Sequence, residues 1–209
     1  MKISKEEYLK NPTSASSLSY FKSNNININK RIEIVDKVED NTLNKYYFKL
    51  VHYLNNIHYL YNIKDIKLDD NYIFTDATIE EFNDHINSCY DDINMNIEDL
   101  MKYKNSIVYD KDLWIAIKDK RNNKIIGTII ASFDKDIKEG YIEWLQVSKE
   151  YRRQGLAFVL VNELLTRLKG KAKFVTVSGD VNNPYHPLSL YQRCGFSDNT
   201  IYKITDLKL

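Results

Sequence analysis

Residues 141–168 constrain the fold more than any other stretch. Tyr141–Val147 is a run of strand formers and Ser148–Gln154 is polar. Gly155 follows, and then Phe158, Leu160, Val161, Leu164, Leu165 and Leu168 recur at helical spacing. A strand that feeds an amphipathic helix through a short glycine-ended loop belongs to an α/β architecture. The junction has chemical consequences too. A helix start leaves backbone N–H groups unpaired and carries a partial positive charge, so it suits a phosphate. Gly155 permits close approach, Ala157 keeps the next turn small, and Arg152 and Arg153 bring forked cationic donors. The same pieces also make a plain strand-to-helix turn. A Walker loop and a GxGxxG fingerprint are both absent from the sequence.

The rest of the chain reads around that junction. Residues 1–30 are rich in Ser and Asn around Pro12, and irregular chain with one short helix is expected. Arg31–Val38 alternates as a strand. Tyr46–Leu54 is ambiguous: Phe48, Leu50, His52 and Leu54 fit a strand, and Tyr47, Leu50, Val51 and Leu54 fit a helix. Tyr72–Phe74 is a short strand. Thr78 with Glu81 forms a capping box for a helix carrying Phe82, Ile86, Cys89 and Tyr90, and Asn96 starts a second helix. Leu113–Ile117, Lys124–Phe133 and Tyr141–Val147 are strands. Lys173–Val177 is another, Leu188–Arg193 is a short helix ended by Gly195, and Phe196–Ile204 is the last strand.

Composition removes whole classes of function. The 209 residues carry 30 Lys+Arg and 29 Asp+Glu, a net charge of +1, which excludes a globally basic nucleic-acid binder. Acidic side chains are in excess over residues 71–140 and basic ones over 141–209. From Asp76 to Asp99 there are eight acidic residues and no Lys or Arg. That run is either a solvated helix face with acidic first turns or a wall that attracts a cation. Cys89 and Cys194 lie far apart, outside any disulfide or zinc pattern. No apolar run approaches the roughly 18 residues of a membrane span, and the first residues lack a signal-peptide core. The expected setting is cytoplasmic, with no membrane, nucleic-acid or metal partner.

Two motifs carry a resemblance. Arg152-Arg153-Gln154-Gly155-Leu156-Ala157 resembles the Gln/Arg-x-x-Gly-x-Gly/Ala element of the GNAT superfamily of acyl-CoA-dependent N-acyltransferases. Leu190-Tyr191-Gln192-Arg193-Cys194-Gly195-Phe196 is similar to that family's Leu-Tyr-x-x-x-Gly-Phe. The order of elements from Tyr72 also fits, so the resemblance covers about 72–209. It divides the chain into an N-terminal extension, 1–70, packed on or beside a core at 71–209. It implies an α/β (α+β) fold with a mixed, mostly antiparallel central sheet that splays between helices. Acyl-CoA, with acetyl-CoA as co-substrate, lies in the gap.

The resemblance also assigns residues. Backbone groups of Leu145, Gln146 and Val147 hold the pantetheine and polarise the thioester. Amides of Arg152, Arg153, Gln154, Gly155, Leu156 and Ala157 hold the pyrophosphate. A small-molecule or peptide amine attacks directly in a ternary complex, with Tyr191 as proton donor to the CoA sulfur. Glu143, expected on the strand face of Leu145 and Val147, is the candidate general base, with Glu139 and Tyr141 as rivals. The family's Asn seven residues before the Tyr is here Pro184, which leaves Asn182 or Asn183 for the CoA. His186 is read as a loop residue at a helix start and Cys194 as core, and sequence spacing points to no chemical role for His52, His58 or His85. The acidic run borders the acceptor side in this family and favours a cationic acceptor; dimers are common among its members. The alternative is a GNAT-fold protein that binds acyl-CoA as a sensor, without turnover.

Overall fold

Local capping sets the helices. In the computed structural model, which describes residues 2–27, 29–39, 44–54 and 68–206, Thr78 Oγ1 accepts from Glu81 N at 3.2 Å. The Glu81 carboxylate accepts from Thr78 N at 2.8 Å. This complete capping box starts the helix Ile79–Cys89. Three shorter helices precede it: α1 (Lys5–Lys10), α2 (Pro12–Ala15) and α3 (Tyr20–Asn25). Each is capped by a polar side chain, Ser4, Asn11 and Ser19 in turn. The described part of this segment is therefore more helical than expected, because Ser4, Asn11 and Ser19 act as helix caps. Ile79–Cys89 is α4, followed by α5 (Ile97–Lys104), α6 (Leu156–Leu168) and α7 (Pro187–Arg193).

The strands are β1 (Lys30–Val35), β2 (Lys45–Tyr53), β3 (Tyr72–Thr75), β4 (Tyr109–Asp119), β5 (Lys124–Asp134), β6 (Glu139–Val147), β7 (Phe174–Asp180) and β8 (Ser197–Asp206). They form one sheet in the order β1-β8-β2-β7-β6-β5-β4-β3. The β6–β7 pair is parallel and the others are antiparallel. Alternation along β4 sorts two layers. Leu113, Ile115 and Ile117 join the core under α6, whereas Trp114 and Ala116 pack against Phe82 and Ile86 of α4. Helices thus cover both faces, and β2 resolves as a strand.

The extension enters the sheet. β2 lies between β7 and β8, pairing Leu50 with Val177 on one side and Phe48 with Ile201 on the other. Phe48, Leu50 and Val51 are fully buried. A polar network under α1–α3 ties residues 4–25 to that sheet. Glu139 accepts from Tyr8 Oη at 2.7 Å, Tyr20 N at 2.9 Å and Thr176 Oγ1 at 2.5 Å. Lys49 Nζ is surrounded by Tyr8 Oη and the carbonyls of Pro12, Ser16 and Leu18, all within 2.9 Å. Glu139, a rival candidate for the base, is thereby consumed by the packing of the extension.

Candidate active site

Strand β6 outruns its parallel neighbour. Pairing with β7 ends at Ile142↔Val177, while β6 stays paired with β5 through Val147↔Gly127. Beyond Ile142 the sheet is therefore split. Ser148 N–H turns back to Ile126 O of the β5 side at 2.9 Å. By alternation Leu145 and Val147 turn their peptide groups toward the split. The two carbonyls there are taken: Tyr90 Oη donates to Leu145 O at 3.2 Å and Arg152 Nε to Val147 O at 3.0 Å.

The split opens into a cleft of about 500 Å³. Leu145, Gln146 and Val147 line one wall, Arg152, Arg153, Gly155, Leu156 and Ala157 the floor, and Asn183 and Tyr191 the far side. Gly155 caps α6 at φ 82°, and a Cβ there would touch nothing, so the left-handed backbone and not space demands glycine. The first helical bond to close is Val159 N to Gly155 O at 3.0 Å. The first-turn amides before it have no intrahelical acceptor.

Three expected residues sit differently. The Gln154 side chain turns away to accept from Tyr72 Oη at 2.9 Å, and neither Gln154 nor Asn182 lines the cleft. Arg152 spends its fork inside the protein. Besides Val147 O it donates to Cys89 O at 2.8 Å, and its guanidinium stacks 4.2 Å from the Tyr185 ring. It braces the loop against β6 and α4. Tyr90 and Tyr185 border the cleft as well; sequence reasoning gave Tyr90 only a place on the apolar stripe of α4.

Tyr191 is buried, its ring against Phe48 and Phe196. Burial, with Tyr90, Cys194 and Tyr141 nearby, holds its phenol well above the usual tyrosine value, so it stays protonated. Glu143 does not share a face with Leu145 and Val147. Ile130 pairs with Trp144 but Ala131 with Ile142, which leaves Glu143 as the extra residue of a bulge. The bulge resets the alternation. Ile142 and Leu145 belong to the layer under α6, while Glu143 accepts from Ser132 Oγ at 2.9 Å on the opposite face and is ion-paired with Lys22 of α3. Burial pushes its carboxyl above the ordinary value, and Lys22 pulls only part of the way back.

The histidines have ordinary surroundings. His85 is buried, with Nδ1 2.9 Å from Thr128 Oγ1 and Nε2 3.0 Å from Ser148 Oγ, so it has partners that spacing did not reveal. His52 is buried beside Phe196, and His186 occupies the loop before α7 at φ 49°. His58 lies outside the described residues. Cys194 is a buried free thiol. No helix among the described residues is long and apolar enough to cross a membrane.

A mostly antiparallel sheet that splays where a glycine-started helix meets it is the architecture of the GNAT fold. The comparisons agree. The model of the acetyltransferase (GNAT) family matches residues 75–196, more than half of the chain. A GCN5-related N-acetyltransferase from Sphaerobacter thermophilus superposes with a TM-score of 0.64 at 14% identity, covering 79% of this chain and 52% of that one. The NatC complex bound to Gag peptide and CoA gives 0.53 at 18% identity, over 66% and 99%. The ribosomal-protein-S18-alanine N-acetyltransferase from Escherichia coli gives 0.51 at 15%, over 66% and 95%. This chain spans about half the length of the Sphaerobacter protein. No curated protein matches the sequence. The chain belongs to the acetyltransferase (GNAT) family.

Proposed function

We propose that the protein transfers an acetyl group from acetyl-CoA to a primary amine by direct attack in a ternary complex. The observation that carries the reading is the split after Ile142↔Val177, floored by the start of α6. The pyrophosphate binds at the first-turn amides of α6 with Arg153 beside it, because unpaired N–H groups and a cation converge there. The pantetheine lies along β6, and the Leu145 and Val147 N–H groups that face the split polarise the thioester carbonyl. Support for CoA comes from family membership and from the CoA named with the NatC structure.

The amine arrives as an ammonium and must lose a proton before it can attack. Glu143 takes that proton once the Lys22 ammonium has left its carboxylate; burial then raises the carboxyl toward a base of useful strength. The neutral nitrogen then bonds to the thioester carbon and the C–S bond breaks. Tyr191 donates to the departing sulfur and is re-protonated as the new amide nitrogen gives up its second proton. Two protons leave nitrogen in all, one to solvent through Glu143 and one to CoA thiol.

A calorimetric titration with acetyl-CoA tests the donor half. Arg153→Glu is expected to weaken binding at least tenfold with an unchanged circular dichroism spectrum. Arg153 is the residue of choice because Arg152 also braces the loop. Equal affinity in the variant, or no binding by the folded protein, overturns the reading.

A further inference from the structure

Strand β6 borders a second cavity. About 400 Å³ lies between α3, α5 and the β5–β6 pair, and Phe21, Met95, Tyr103 and Val108 give it an apolar lining. Its buried carboxylate is Glu143, two residues along the same strand from Leu145 in the cleft, while Asp99 and Lys102, paired with each other at 2.7 Å, stand at the exposed rim. The Lys22 ammonium sits on that carboxylate, with side chains 18% and 3% exposed. The Lys22 Nζ is also 4.8 Å from the centroid of the Tyr141 ring and 5.4 Å from that of Tyr103.

A carboxylate flanked by two aromatic rings is how proteins hold an alkylammonium group. Burial alone favours a neutral Lys22, yet Glu143, with Tyr141 and Tyr103, outweighs it and holds the amine above the ordinary lysine value. The ammonium is thus the form that this cage selects. The helix that delivers Lys22 is anchored elsewhere, by Tyr20 N on Glu139 and by Ser23 Oγ on Ser16 Oγ at 2.7 Å.

We propose that Glu143, Tyr141 and Tyr103 form a subsite for an unbranched alkylammonium acceptor, and that Lys22 is its built-in occupant, which an acceptor displaces. The word acceptor rests on the acetyl-transfer reading above; the cage does not. A lysine side chain of another protein and a free diamine share this chemistry. The groove suits both, because it already takes the four-carbon stem of Lys22. A site filled by its own lysine nine-tenths of the time or more binds an external amine about tenfold or more weaker than the same site left open.

Two probes separate the sources: 1,5-diaminopentane and Nα-acetyl-lysine amide, each titrated calorimetrically into the full chain. Lys22→Ala is expected to bind at least one of them tenfold tighter than the unaltered chain, and Lys22→Ala/Glu143→Gln to lose that gain. A gain for the diamine alone assigns a small polyamine-like acceptor; a gain for the lysine amide assigns a protein side chain. Equal affinity in Lys22→Ala and the unaltered chain, or in the single and double variants, overturns the proposal. If Lys22→Ala does not fold, the unaltered chain carries the test. Saturating diamine should then speed amide exchange over residues 20–25 at least fivefold, and unchanged protection overturns the idea. Acetyl-CoA titrated into the same samples keeps the two readings apart. Amine binding as expected without acetyl-CoA binding sinks acetyl transfer and leaves the cage, and the reverse sinks the cage alone.

Discussion

At Gly155 one residue's backbone requirement is local, and a local requirement is visible in sequence. A helix that begins from φ 82° favours glycine, the residue that adopts this backbone without a Cβ penalty. Glu143 is the opposite case. Its face depends on a bulge, and a bulge is a property of the register between β5 and β6 that strict alternation does not contain. Arg152 was legible as a cation at the right place, but not as one already committed to Val147 O and Cys89 O. His85 belongs with these, since its hydroxyl partners come from 43 and 63 residues away. Burial pushes the His85 imidazole down to about 4. The unfolded chain binds that proton near pH 6.5, so between about 6.5 and 4 it holds more protons than the folded one. The His85 contribution is complete above about pH 6.5, falls as the pH drops toward 4, and is level below it, a loss on the order of 3 kcal/mol. Urea midpoints measured across pH 4–7 should therefore fall less steeply in His85→Gln, which keeps hydrogen-bonding capacity toward Thr128 and Ser148. An identical slope in both proteins would show that the imidazole is not held neutral.

Elements were legible where one face is wet. The helix α4 announced itself by its capping box and apolar stripe, and the structure closes both bonds of that box. Strand β2 was ambiguous because both its faces and both its edges are covered, which erases the alternation that marks a half-buried strand. Its packing against β7 is close: a Cβ added at Gly179 would stand 2.6 Å from Phe48 Cζ. That ring is itself 1% exposed and rests against Tyr191, so it has nowhere to retreat. Gly179→Ala is expected to cost about 1–3 kcal/mol of stability, the usual size of an overpacked core. Chemical denaturation reads that loss directly. Because the displaced ring touches Tyr191, acetyl-CoA binding should weaken in the same variant. A variant as stable as the parent would mean that β2 and β7 are held more loosely than the register implies.

For the whole molecule, chain order and spatial order part company. The family's motifs and the succession of elements from Tyr72 were readable because each is carried within a few residues. The insertion of β2 between β7 and β8 joins residues about 120–160 apart, and neither composition nor periodicity encodes it. The extension is consequently more than a neighbour of the core. It supplies the strand that bridges two others, the helix that carries Lys22 to Glu143, and Tyr8 and Lys49 around Glu139. Removing residues 1–70 would strip Phe48, Leu50 and Val51 from the interior. At about 2 kcal/mol each they represent roughly 6 kcal/mol, comparable with the 5–15 kcal/mol that holds an ordinary domain together. It would also leave Glu139, 1% exposed in the full chain, without two of its three donors. A chain of residues 71–209 is therefore expected to lack a cooperative unfolding transition and dispersed amide resonances. Adding residues 1–54 as a separate peptide should restore both, as strand insertion between β7 and β8 requires. A truncated chain that melts cooperatively alone would mean that β7 and β8 can pair directly, leaving the extension with the placement of Lys22 as its main task.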